Sequence, residues 1–146
     1  MKFTATLFAA ALTITATAAA DEVWSTEIGD VVYEKDLPDG TAVLSYPLDS
    51  TEIRGFGYID GLAGVYQGRT SYSGVWVEPG SDEVMHCKYA IGNPETGALE
   101  WNWGRIEMIF VDPDFPGSWV IKRGTCFDEL DQYLVGKPVV AGDISE

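Results

Sequence analysis

Residues 98–123 read ALEWNWGRIEMIFVDPDFPGSWVIKR and hold three of the five tryptophans. Two β-prone runs flank the turn Asp112-Pro113-Asp114-Phe115-Pro116-Gly117, so the stretch predicts a pair of antiparallel strands. In the first run Ile106, Met108 and Phe110 share one phase of a two-residue repeat. Leu99, Trp101, Trp103, Arg105 and Glu107 share the other. The aliphatic phase demands a core. The tryptophans then face the opposite side with Arg105 and Glu107, unless a bulge at Gly104 turns them inward as ordinary packing.

Upstream, the same strand-and-turn grammar repeats. Val23–Ile28 alternates as a short strand. Val31–Tyr33 passes through Asp36-Leu37-Pro38-Asp39-Gly40 into Thr41–Tyr46, and Pro-Asp-Gly between β-prone runs signals a hairpin. Residues 52–77 are punctuated by glycines, with Phe56, Tyr58, Tyr66, Tyr72 and Trp76 between them. No phosphate-cradling Gly-x-x-x-x-Gly-Lys-Ser/Thr occurs there, and no helical pattern follows. Bent strands of a small barrel, with glycines where the sheet coils, account for this composition. Val84–Ala90 reads as a further strand, with Cys87 on one face.

Beyond Arg123, Thr125-Cys126-Phe127-Asp128 is a Thr-x-x-Asp capping pattern. Phe127, Leu130 and Leu134 follow at helical spacing and Gly136 stands where a helix would stop, so one short C-terminal helix is expected, with a tail from Lys137. Turn signals about every ten residues and the lack of alternating helices predict an all-β antiparallel fold. A small β-barrel fits the many glycines and aromatics better than a sandwich, which is the second choice.

The chain opens with Lys2, an uncharged apolar run over 3–17 and Ala18-Ala19-Ala20 before Asp21-Glu22. This is the pattern of a cleaved signal peptide over 1–20, leaving a single domain over 21–146. The expected location is periplasmic or extracellular, where Cys87 and Cys126 form a disulfide rather than a reactive or metal-binding thiol. Closing a loop of that span stabilises a fold by about 4 kcal/mol. The net charge of −14 makes this an acidic protein and argues against nucleic acid and anionic membrane surfaces as partners.

No nucleophile or metal motif stands out. His86, the single histidine, lies opposite Met85, Cys87 and Tyr89 on its run and is expected at the surface. Asp112, Asp114, Asp128, Glu129 and Asp131 lack the glycine turn and distal glutamate of a calcium loop, so turn and capping roles suffice and no metal is expected. Glu100 and Glu107 lie about 23 Å apart along a strand, too far for a glycosidase pair. What remains is a stripe of Trp101, Trp103, Arg105 and Glu107, whose rings and guanidinium could bind a ligand. The sequence therefore reads as an exported, non-catalytic binding protein without cofactor, its partner a small molecule, saccharide or protein. Two alternatives stand beside it: an extracytoplasmic hydrolase or lyase acting on saccharides, and a structural or inhibitory protein-binding module.

Overall fold

The computed structural model describes residues 22–48, 52–64, 71–79, 87–112 and 116–139. Ten strands lie among them: β1 Val23–Thr26, β2 Gly29–Asp36, β3 Ala42–Pro47, β4 Arg54–Ile59, β5 Ser71–Val77, β6 Ile91–Gly92, β7 Leu99–Glu100, β8 Trp103–Phe110, β9 Trp119–Thr125 and β10 Gln132–Pro138. Eight of them close an antiparallel barrel in the order β1-β2-β3-β4-β5-β8-β9-β10, with β10 returning to β1. The chain walks round the barrel from neighbour to neighbour. Its one excursion, between β5 and β8, carries the small ribbon β6–β7.

Alternation builds the wall. Ile106, Met108 and Phe110 point inward and are buried, as do Trp119 and Ile121 on β9 and Ala42, Leu44 and Tyr46 on β3. The β2–β3 hairpin forms around Pro38-Asp39-Gly40. There Gly40 takes φ 87°, a region costly for other residues, and the Asp39 carboxylate accepts from the Thr41 amide. That backbone bond holds the Asp39 carboxyl below its ordinary range.

No bulge forms at Gly104 against β5: pairing runs without a slip from Val77↔Trp103 to Ser71↔Ile109. The glycine has a packing reason instead. A β-carbon at residue 104 would collide with the Gly124 carbonyl and the Trp76 ring. The one register shift among the paired strands lies between Tyr33 and Lys35 on β2.

The expected C-terminal helix is corrected. β9 continues through Thr125, and Cys126 then adopts φ 54°, a left-handed conformation that no α-helix can propagate through. The Asp128 amide donates to the Thr125 carbonyl to close a single turn, and β10 starts at Gln132. A nascent helix needs a run of successive bonds to offset its nucleation cost, and the disulfide-bound Cys126 denies it that run. Leu134 belongs to a strand alternation, pointing inward between exposed Tyr133 and Val135. Gly136 is no helix stop: it lies under the Trp119 ring, and the residues expected to begin a tail, Lys137 and Pro138, pair with β1. Residues 87–90 form no strand, and the rest of the run expected from Val84, with His86, lies outside the described residues.

The disulfide between Cys87 and Cys126 is formed. It staples the excursion to the end of β9 and helps bury a second cluster on the outer face of the wall, comprising Val43, Tyr58, Val77, Cys87 and Trp103.

Candidate functional site

The barrel interior is filled unevenly. Toward the end holding the 37–41 turn and Gly117, large rings close it. Trp24 and Trp119 pack with centroids 6.1 Å apart, Tyr72 and Phe110 meet edge to face at 5.9 Å, and the Trp24 indole donates to the Gly117 carbonyl. None of these four rings lines the cavity found toward the opposite end. That cavity holds about 250 Å³, and its walls are largely aliphatic, with Val31, Leu44, Ile59, Ile106, Ile121 and Leu134 among residues that also include Glu27, Tyr46 and Arg123.

Gly57 explains the space. It faces inward on β4, between Leu44 on β3 and Trp76 on β5. Its φ lies outside the left-handed region, and a β-carbon there would meet only ordinary contacts, the nearest Ile106 Cδ1 at 3.4 Å. Gly74, Gly104, Gly124 and Gly136, by contrast, each have a neighbour that forbids a side chain. At residue 57 neither backbone nor packing requires glycine; its effect is to leave the chamber open.

The cavity meets a second, more polar chamber of about 570 Å³ at the mouth of the barrel, and Ile28, Tyr46, Arg123 and Gln132 line both. Arg123 reaches this boundary because it continues the inward phase of Trp119 and Ile121. Its Nη2 donates to Glu78 Oε1 at 2.9 Å and its Nη1 to the Tyr46 hydroxyl at 3.2 Å, while Tyr46 donates to Glu78 Oε1 at 3.0 Å. The guanidinium carbon stands 4.0 Å from the Trp76 ring centroid, and Trp76 is itself anchored by its indole to the Gly124 carbonyl. The two side chains of the ion pair are 18% and 15% exposed, shielded enough for the pairing to matter. Burial is the main cause that raises the Tyr46 phenol well above its ordinary pKa, so it remains a neutral hydroxyl. Gly55 completes the cluster, since the Tyr46 ring lies where its side chain would be.

The wall is incomplete beside this mouth. β1 pairs with β10 only at Trp24↔Pro138 and Ser25↔Lys137. β10 residues 132–136 have β9 on one side and, among the described residues, no strand on the other. Glu27, Ile28, Gln132 and Tyr133 flank that stretch and line the apolar cavity.

The four residues of the sequence-derived stripe are placed apart from the cavity, and of the four only Arg105 and Glu107 share a groove. Trp103 is on the outer face, in the expected phase, yet it is 2% exposed. The excursion covers it, its indole donates to the Tyr89 carbonyl at 2.7 Å, and Phe127 meets its ring edge to face at 5.0 Å. Trp101 lies in the bend before β8 and is 46% exposed. Arg105 reaches along the wall to hold the 126–131 turn, donating through Nη2 to the carbonyls of Phe127 and Asp128 at 3.1 and 2.7 Å. Glu107 shares a shallow outer groove with Arg105 and Asp60, whose carboxyl is raised by burial and then by the Asp39 charge. The sequence reading missed Tyr46, Gly57, Glu78 and Arg123. A cation continuing the buried phase of Trp119 and Ile121 was the signal that could have found Arg123.

Of the acids considered for calcium, Asp112 accepts from the Ser118 amide, and Asp114 lies outside the described residues. Among the described residues no group of three or more His, Cys, Asp or Glu converges on a point. Compared with protein-family models, curated proteins and solved structures, the chain matches none.

Proposed function

We propose that this is a binding protein that holds a small, largely apolar molecule inside the barrel and works outside the cytoplasm after removal of its leader. The observation that carries the reading is the aliphatic chamber of about 250 Å³, kept open by Gly57 in a barrel otherwise filled with large rings. Proteins pack their interiors closely, and an apolar void forfeits dispersion contacts, so a void next to an opening has a use that offsets its cost. A cavity of about 150 Å³ takes benzene, so this one has room for roughly ten non-hydrogen atoms. The disulfide is compatible with an oxidising location and supports the export half of the proposal.

A saccharide hydrolase would need two carboxyl groups facing each other across a polar cleft. Here Glu78 is committed to Arg123 and Tyr46, and the chamber walls are largely aliphatic, which favours binding over turnover. A protein-docking role is supported by a separate observation: Tyr89, Leu99, Trp101 and Phe127 are exposed on or beside the stapled excursion.

Titration with naphthalene, followed by its own fluorescence, tests the main reading. Saturable one-to-one binding that disappears in Gly57→Leu, whose side chain would occupy the chamber, is the expected result. Absence of saturable binding, or equal binding to the filled variant, overturns it.

A further inference from the structure

We infer that the mouth selects ligands carrying an uncharged hydrogen-bond acceptor, such as a ketone, ester or ether oxygen, and disfavours both carboxylates and ammonium ions. The inference rests on the binding function proposed above and adds the chemical class of the ligand's polar end.

Among the described residues, Arg123 is the one cationic side chain lining either chamber, and it lines both. A guanidinium has five N–H groups and accepts nothing. The bonds to Tyr46 and Glu78 use two of them, and Nε, without a hydrogen-bond partner, is sealed from solvent, so the N–H groups left for a ligand are the second ones on Nη1 and Nη2. The Tyr46 hydroxyl already donates to Glu78, so it brings no further donor to a ligand. Where the apolar chamber meets the polar one, the unmet need is thus for an acceptor.

Charge decides which acceptor fits. Glu78 already neutralises Arg123 at 2.9 Å, and Glu27 stands at the rim of the apolar chamber. Among the described residues the mouth therefore carries one positive side chain against two negative ones, in a chain of net charge −14. A carboxylate would have to displace Glu78 or settle beside it in a poorly solvated place, where like charges repel strongly. An ammonium ion brings no acceptor for the spare N–H groups of Arg123, and it would lie next to a guanidinium. A neutral oxygen meets the spare N–H groups without disturbing the pair. Gln132, which lines both chambers, can adapt to either end of such a group.

Four probes of nearly one size separate these cases: naphthalene, 1-tetralone, 1-naphthoate and 1-naphthylmethylammonium, titrated by calorimetry at pH 7 into the disulfide-intact protein. The expected order puts 1-tetralone about tenfold tighter than naphthalene, the worth of one hydrogen bond to a charged donor, and both ions weaker than 1-tetralone by at least that factor. Arg123→Met should erase the advantage of 1-tetralone, so that the ratio of its affinity to that of naphthalene, both measured in the variant, falls to about one. Glu78→Gln, which frees the guanidinium charge, should raise 1-naphthoate affinity about tenfold and so tests the charge argument in a second variant. Equal affinities for naphthalene and 1-tetralone, or tightest binding of 1-naphthoate by the unmodified protein, overturn the selectivity while leaving the binding function standing. Failure of all four probes to bind overturns the binding function itself.

Discussion

Replacing Gly57 with valine should make the protein more stable and less able to bind. Glycine in a strand interior costs roughly 0.5–1 kcal/mol in backbone entropy relative to alanine. Valine adds three carbons to a chamber of about 250 Å³ whose walls are already largely aliphatic. At roughly 0.8 kcal/mol per buried methylene those carbons contribute about 2 kcal/mol. The Ile106 Cδ1 atom, 3.4 Å from the new β-carbon, must give slightly, which offsets part of the gain. A net stabilisation of about 1–2 kcal/mol remains, or a rise in Tm of about 5 °C for a domain of this size. Thermal melting by circular dichroism measures the first effect and naphthalene titration the second, where at least tenfold weakening is expected. A variant that melts lower than the parent by more than about 1 kcal/mol and still binds naphthalene would refute the idea that Gly57 exists to leave space. Most inward glycines of this barrel should behave in the opposite way, which makes the comparison internal.

Gly136→Ala supplies that comparison: its β-carbon would enter the fully buried Trp119 ring, and denaturant unfolding should show a loss of about 1–3 kcal/mol. Trp103→Ala removes a ring that is 2% exposed together with its bond to the Tyr89 carbonyl, so melting should report a loss of about 3–5 kcal/mol, whereas Trp101→Ala should cost less than about 1 kcal/mol. Thiol titration of the protein purified without reductant and then denatured should find no free thiol before reduction and both cysteines after it; thiols before reduction would contradict the pairing of Cys87 with Cys126. Burial raises both the Tyr33 and Tyr46 phenols above the ordinary value of 10.0. For acids whose folded pKa is raised, the stabilisation is complete below the unfolded value and is lost as pH climbs toward the folded one. Stability should therefore fall above pH 10, and Tyr33→Phe or Tyr46→Phe should make that fall shallower in melts taken at successive pH values.

Much of the architecture was legible because strand alternation is a local property. The phases of 106–110 and 119–121 and the Pro-Asp-Gly turn at 38–40 each announced one wall of the barrel, and the structure has them in those places. The stripe was less legible for a physical reason. Phase says which side of a sheet a residue occupies, but not whether something else covers that side. Trp103 does lie on the outer face, and the excursion of residues 87–101, stapled through Cys126, buries it together with Phe127. The C-terminal helix misread a turn, because Thr-x-x-Asp satisfies one amide whether or not a helix follows, and the left-handed Cys126 that ends the pattern is invisible in a one-dimensional string. The mouth was hidden by distance: Tyr46, Glu78 and Arg123 are separated by 32 and 45 residues, and only closure of the barrel brings them together.

A crystal of the disulfide-intact protein pressurised with xenon tests the central claim most directly, because xenon settles in dry apolar cavities that admit it. The account predicts a strong xenon peak bounded by Leu44, Ile59, Ile106 and Ile121, beside Gly57 and inward of Arg123. A chamber instead occupied by ordered, hydrogen-bonded waters, or collapsed so that Ile106 fills the space over Gly57, would contradict it.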